Sequence, residues 1–313
     1  MSSELDLSEC EREPLSSLGF VQSHGCLIAF GDDRLASHAS ANVAASLGIG
    51  ADLVLKRELK QFCPAANLVA LERLLPQLGE GKPVHFPWEH FRSEQPARQR
   101  TAWLHRRQQL FVLEVEDFDA GQEIPRGMGG AALREFLKNA CEAPSIQILA
   151  QLTADACAAI AGYTRVMIYQ FHEDWSGQVI AENRQPEAEP YLGLRYPASD
   201  IPSQARQLYT VNLLRVVVDT HSTPIPILAD SRSPRIDLTY SILRSVSPYH
   251  IEYLRNMQVT ATLTASLMVD GRLWGMIACH HSTSKAVTPA LRDAAALIAE
   301  TVSLRSRSGK RSA

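Results

Sequence analysis

No uninterrupted apolar run in the 313 residues reaches membrane-spanning length. The opening stretch, MSSELDLSECERE, is acidic and has no apolar h-region, so it does not read as a secretory leader. Six cysteines are present (Cys10, Cys26, Cys63, Cys141, Cys157 and Cys279) but no C-x-x-C pair. That spacing argues against a structural zinc and a disulfide framework, and for free thiols in a reducing cytoplasm. Most of these cysteines read as small buried hydrophobes; Cys10 differs, because it lies in a polar N-terminal arm. Excess charge is lacking too. A net charge of −3 advertises neither nucleic acid nor an anionic membrane, and the only basic run, RSRSGKRSA, reads as a solvated tail. There is no short internal repeat and no low-complexity segment. The whole chain is 45% hydrophobic and 21% charged, a globular composition whose length suggests two domains.

After an arm over residues 1–18, VQSHGCLIAFGDDRLASHAS reads as strand, turn, strand, and ANVAASLG as a short helix ended by Gly48 or Gly50. NLVALERLLPQL reads as a helix and TAWLHRRQQLFVLEVEDF as two strands around a polar turn. The first domain therefore covers 19–118 and is α+β with an antiparallel sheet. DAGQEIPRGMGG, residues 119–130, reads as a linker. The second domain, 131–308, opens with helical sequence interrupted by Pro144. In TRVMIYQF, Arg165, Met167, Tyr169 and Phe171 share one strand face. GQVIAENR is its expected partner, SQARQLYTVN a helix and LLRVVVDT a strand. Ser247 fits an N-cap and Pro248 a first helical position, with His250, Tyr253, Leu254 and Met257 along one helix face. TATLTASLMVDGRLWGMIACHH is a hairpin turning at Asp270-Gly271. A last amphipathic helix carries Leu291, Ala294, Ala295, Ile298 and Val302 on one side, a stripe that suits either a dimer bundle or the sheet of its own domain. Residues 309–313 form a tail.

Between the strands of the second domain runs a long irregular excursion, residues 183–250, where a binding site is expected. It combines Tyr196, Ile201, Pro202, Tyr209, Tyr249 and Tyr253 with Arg215, Arg244, Ser247 and His250. Apolar walls with a few placed polar groups describe a small-molecule pocket, and two arginines suit an anionic ligand. A flat, largely apolar ligand with acidic arms fits this inventory. Each residue also has a plainer reading. Asp200, between Pro197 and Pro202, is by itself a helix N-cap for the residues after it. Arg215 and Arg244 could be ordinary paired surface groups, His250 a satisfied half-buried histidine, and Met167 and Tyr169 plain core. His280 and His281 point to opposite faces of a strand, so no metal site is expected.

The motifs YPASDIPSQARQLY, LRSVSPYHIEYLRNM and LWGMIACHH, with CEREPLSSLGFVQSHGCLIAF at the start, closely resemble the bacteriophytochromes from about residue 8 to about 305. The resemblance implies two domains, each a central antiparallel sheet with flanking helices, PAS then GAF, linked by a figure-of-eight knot in which Val21 threads a loop of the GAF chain. It implies biliverdin IXα in the GAF pocket, joined by a thioether to Cys10. Asp200 matches the aspartate whose carbonyl accepts from the pyrrole N–H groups, held by Ile201 and the flanking prolines, and His250 the histidine beside rings B and C. Arg215, Tyr209 and Arg244 match groups at the ring B propionate; Ser247, Thr262 and Thr264 match groups at the ring C propionate. Met167, Tyr169, Tyr196 and Tyr253 match the ring D surroundings, and His280 the donor to the ring D carbonyl. The resemblance implies a red/far-red photoreceptor and a homodimer through GAF helices, with no enzymatic activity beyond attachment of its own bilin.

Some features depart from the family. FVQSHG stands where Ile-Gln-Pro-His-Gly is usual. Glu9, Glu11 and Glu13 flank Cys10 and disfavour its thiolate. A plain two-residue turn at Asp270-Gly271 would put Thr262 and Thr264 on the sheet face opposite His280, so a bulge or a longer loop is expected there. No PHY or histidine-kinase module is read in the sequence, as in an excised fragment or a short form, for which near-infrared fluorescence is expected. Two rivals stand beside this reading: a GAF-type sensor of a cyclic nucleotide or other small anion, and an enzyme using Cys10 or Cys279 with a histidine.

Overall fold

The computed structural model describes residues 13–89, 98–119, 128–230 and 233–309. Cys10, most of the expected linker and the tail past residue 309 lie outside these. In chain order the elements are β1 (Phe20–Val21), β2 (Gly25–Phe30), β3 (Ala36–Ser40), α1 (Val43–Leu47), α2 (Ala51–Val54), α3 (Ala65–Leu74), β4 (Val84–Pro87), β5 (Arg98–Arg107), β6 (Leu110–Asp119), α4 (Met128–Glu142), α5 (Ile146–Ala161), β7 (Arg165–Phe171), β8 (Gly177–Arg184), β9 (Arg195–Tyr196), α6 (Ser203–Val211), β10 (Leu214–Val217), β11 (Ile225–Ala229), α7 (Pro248–Asn256), β12 (Ala261–Val269), β13 (Arg272–His281) and α8 (Pro289–Gly309). They sort into two compact units, one of which joins the described residues of 14–119 to 221–247.

That first unit is a seven-stranded antiparallel sheet in the order β1-β11-β3-β2-β6-β5-β4. Every residue of β2 is buried, the mark of a strand covered on both faces. Cys26, Ile28 and Phe30 pack towards the helical side with Phe62, Leu71 and Trp88. Leu27 and Ala29 pack with Val112 against Ile236, Leu238 and Leu243. The second face is thus covered by the 221–247 segment. This corrects the expectation of one irregular excursion over 183–250: part of it, β11, is a strand paired with β1 and β3 of the N-terminal sheet. Glu114 fastens the segment, accepting from Ser241 Oγ, from Ile242 N at 3.0 Å and from Leu243 N at 2.9 Å. Residues 16–22 are bonded to it on two sides. Val21 pairs with Ile225 and also bridges Arg244, while Ser16 O accepts from Leu238 N at 2.7 Å and Phe20 O from Ser245 N at 3.0 Å.

The second unit holds a six-stranded antiparallel sheet, β10-β12-β13-β7-β8-β9. One face is roofed by α4, α5 and α8. Val166, Ile168, Leu263, Leu267 and Ile277 of the strands meet Leu149, Cys157, Leu291, Ile298 and Val302 of the helices. The apolar stripe of α8 is therefore used on its own sheet. The Ser145 side chain caps α5 by accepting from Ile148 N at 3.3 Å, and Gly162, at φ 61°, closes it. The other face carries Met167, Tyr169, Phe171, Val179 and Ala278. Among the described residues no helix is long and apolar enough to cross a membrane.

Candidate functional site

Two irregularities in the second sheet decide which side chains share its open face. At the hairpin, Asp270 and Gly271 have φ of 53° and 74°, and Val269 pairs directly with Arg272. Carried on unbroken, that register would set Thr262 opposite Cys279, on the wrong face. Instead Leu267 pairs with Gly275 and Met268 with Leu273, leaving Trp274 as the extra residue of a β-bulge. Beyond it Thr262 pairs with His280 and Thr264 with Ala278. The expected irregularity is a bulge, and the turn stays short. A second bulge in β7–β8 leaves Ile180 unopposed and pairs Tyr169 with Val179. The Tyr169 ring lies over Gly177: a Cβ there would fall 2.1 Å from it.

A loop and two helices complete the cleft. Pro197 and Pro202 hold φ of −68° and −62° with ψ near 160°, and Ala198–Asp200 forms one 3-10 turn between them. Pro202 is the N-cap of α6, which has no side-chain cap. Asp200 therefore does not cap the helix; its carboxylate takes a hydrogen bond from the Tyr253 hydroxyl. On α7, His250 and Tyr253 stack with ring centroids 6.1 Å apart. Tyr169 and Tyr196 lie 6.0 Å apart across the floor. Arg215, paired with Thr264 in the ladder, sits 3.5 Å over the Tyr209 ring. It donates to Asn212 O at 2.8 Å and Ser266 Oγ at 3.1 Å.

The cleft holds about 730 Å³ of space free of protein atoms, open solvent at its mouth included. Its titratable groups are kept mostly neutral. Burial, then the Arg215 charge, pushes the His250 pKa down to about 4. Burial, then Arg165 and His250, pushes His280 down to about 3. Both imidazoles are uncharged at neutral pH. His280 keeps its Nδ1 buried without a hydrogen-bond partner. Burial, then Asp200, raises Tyr169 to about 12. Asp200 itself is shifted up by burial, against the Tyr253 bond. Arg165 and Glu182 form a buried ion pair at 3.1 Å, with Arg165 also 3.6 Å over the Tyr191 ring.

Of the residues singled out in the sequence, Met167, Tyr169, Tyr196, Asp200, Ile201, Tyr209, His250, Tyr253, Thr262, Thr264 and His280 line this one cleft. Pro202 starts the helix behind Ile201, and Arg215 backs Tyr209. Arg244 and Ser247 belong to the first unit. There the Arg244 guanidinium donates to Leu15 O at 3.0 Å. Ser247 Oγ is buried without a partner, so it is no side-chain cap for α7. Cys10 lies outside the described residues. Sequence reasoning passed over Val179, Leu254, Met257, Met276 and Ala278 as lining. Met276 and Ala278 alternate with His280 on β13, and Leu254 and Met257 share the helix face of His250, so periodicity carried the signal.

Family models match at both ends of the chain: a PAS fold over residues 10–118 and a GAF domain over 145–305, the latter just over half of it. The chain is 38% identical over 308 residues to the bacteriophytochrome of Xanthomonas campestris pv. campestris, covering 95% of this chain and 47% of that protein. It thus spans about half the length of that relative or less of others, such as the 36% identical Nostoc cyanobacterial phytochrome B, of which it spans 40%. Among solved structures, the chromophore-binding domain of the Stigmatella aurantiaca bacteriophytochrome superposes with a TM-score of 0.84 at 36% identity, over 95% of this chain and 98% of that one. The chromophore-binding domain of an unusual bacteriophytochrome from R. palustris gives 0.87 at 31%, over 97% and 100%. With both domain models, the match along nearly all of this chain and the shared fold in agreement, the chain belongs to the bacteriophytochrome family, as its PAS–GAF chromophore-binding module.

Proposed function

We propose that the cleft binds biliverdin IXα, that Cys10 joins it by a thioether, and that the module senses red and far-red light. The observation that carries this is the cleft itself: tyrosine walls, two uncharged histidines, one with an orphaned buried nitrogen, and an aspartate fixed between two prolines. This suits a flat conjugated guest with a few polar edges better than a compact anion, which needs charged donors at its centre. When bound, the bilin supplies red absorption and an isomerisable double bond between its rings C and D.

The chain's residues supply the rest. Arg215 with Tyr209 takes the ring B propionate; Thr262 and Thr264 take the ring C propionate. Asp200, between Ile201-Pro202 and Pro197, offers its carbonyl to the pyrrole N–H groups beside His250. A neutral imidazole still carries one N–H, so His280 donates to the ring D carbonyl without bringing a charge. Met167, Tyr169, Tyr196 and Tyr253 border ring D, where the Tyr253–Asp200 hydrogen bond can be exchanged. With Glu9, Glu11 and Glu13 flanking it in sequence, Cys10 would add its S–H across the ring A vinyl double bond, sulfur to one carbon and the proton to the other, because the bound ligand holds that group close and not because the thiol is acidic. A bilin held here would also supply near-infrared fluorescence.

The domain extents follow the same reading: arm 1–18, PAS 19–118, linker 119–130, GAF 131–308, tail 309–313. The two-sided bonding of residues 16–22 supports a figure-of-eight crossing at Val21. Leu297 and Leu304, exposed one above the other on α8, suit a homodimer, checked by sedimentation. The protein works in the cytoplasm.

The test is an absorption spectrum of purified apoprotein mixed with biliverdin, before and after red illumination. A sharp red band that bleaches reversibly is expected. No band beyond that of free biliverdin overturns the reading and returns the cleft to a small-anion sensor.

A further inference from the structure

The prolines fix φ at both ends of the Asp200 loop, but neither fixes its peptide planes. Arg206, in the first turn of α6, reaches back over the loop. Its Nη1 donates to Ala198 O at 3.1 Å and to Ile201 O. These two carbonyls flank Asp200 on either side in sequence. The guanidinium lies 4.8 Å over the Trp175 ring, and Trp175 packs edge-on against Phe171 at the end of β7, 5.9 Å away. One cation therefore ties the loop to its own helix and to the rigid sheet. Both bonds come from the one Nη1, whose two N–H directions are fixed by the guanidinium plane resting on the Trp175 face; a lysine ammonium could serve the carbonyls but not stack.

We propose that Arg206 is the positioning residue for Asp200: by holding the carbonyls of Ala198 and Ile201 against itself and Trp175, it keeps Asp200 turned into the cleft. Arg206 does not line the cleft, so it acts through Asp200 and not by touching the ligand. Its importance for light sensing rests on the bilin reading above; its hold on the loop does not.

The experiment has an arm for each. In the apoprotein, hydrogen–deuterium exchange is followed across residues 198–201 in wild type, Arg206→Ala, Arg206→Lys and Trp175→Phe. Exchange about tenfold faster is expected for Arg206→Ala, with lysine and Trp175→Phe in between, and β12 unchanged. With biliverdin bound, Arg206→Ala is expected to broaden the red band and lose at least about half of the reversible bleaching. In an Asp200→Ala background it should add nothing further, because residues acting in one chain are not additive. A merely structural role would lower the melting temperature and leave band shape and that coupling untouched. Wild-type exchange in Arg206→Ala overturns the clamp. Faster exchange with wild-type bleaching overturns the link to Asp200. A wild-type chain that takes up no bilin overturns the bilin reading alone. If Arg206→Ala does not fold, Trp175→Phe carries both arms, with about a twofold change expected and no change overturning the proposal.

Discussion

The imidazole of His105 is fully buried, and neither ring nitrogen has a hydrogen-bond partner. The Glu114 carboxyl lies 3.8 Å from Nδ1. Burial pushes the His105 pKa down to about 3, so the folded state resists its protonation. The stability it permits is present above about pH 6.5, the unfolded value, and drains as pH falls towards 3. Glu114 runs the other way. Burial lifts it to about 7 against the hydrogen bonds from Ser241, Ile242 and Leu243. Its favourable contribution is present below about pH 4.5 and lost as pH rises through 7. We expect His105→Leu to unfold at higher urea than wild type, by about 1–3 kcal/mol, with the gap widening from pH 8 to pH 5. A gap that shrinks on acidification would mean His105 is charged in the folded state. Glu114→Gln should flatten the fall in melting temperature between pH 5 and 8. At Cys10, substitution by alanine should abolish the zinc-stained bilin band on denaturing gels while leaving a red-absorbing complex in solution. A stained Cys10→Ala band would move the linkage elsewhere.

Glycines at two strand ends separate stability from site shape. At Gly271 a Cβ would meet nothing within 4 Å, but φ is +74°. Gly271→Ala should cost about 1 kcal/mol in thermal unfolding and leave the cleft unaltered. Gly177 is in extended backbone, yet its Cβ would strike the Tyr169 ring. Gly177→Ala should displace that ring, shifting the red band of the bilin-loaded protein more than its melting temperature. If the two substitutions behave alike, Tyr169 is not seated on Gly177. The strand faces here were legible in the sequence, because period-2 alternation put Met167, Tyr169 and Phe171 together and the Asp-Gly turn fixed the hairpin. Parity, set against the family resemblance that needs Thr262, Thr264 and His280 near one pocket, also implied an irregular hairpin, but not that Trp274 would be the residue left over. A bulge depends on what packs on both faces, which one strand's sequence does not carry.

For the whole molecule, the place of β11 in the N-terminal sheet escaped the sequence. IPILA is a short strand with a proline inside it, and nothing local says that its partners are Ala39 and Val21 rather than neighbours nearby in the chain. Arg244 and Ser247 were read with Asp200 as parts of one excursion, yet they belong to a separate unit, since the core that selects them is Leu27, Ala29 and Val112. A truncated chain beginning at residue 128 should therefore expose Ile236, Leu238 and Leu243 and elute as aggregates in size exclusion. A monodisperse monomer would show that the 221–247 segment does without its sheet.

The late position of β11 also imposes an order on synthesis. When the ribosome has made β6, the N-terminal sheet is still short of one strand, and the outer edge of β3 has no neighbour. That strand and the residues that cover Leu27 and Val112 emerge only after more than a hundred further residues, a delay on the order of ten seconds at roughly 5–20 residues per second. Through that interval the nascent sheet carries an open edge and a bare apolar face, the period in which a chaperone has most to protect.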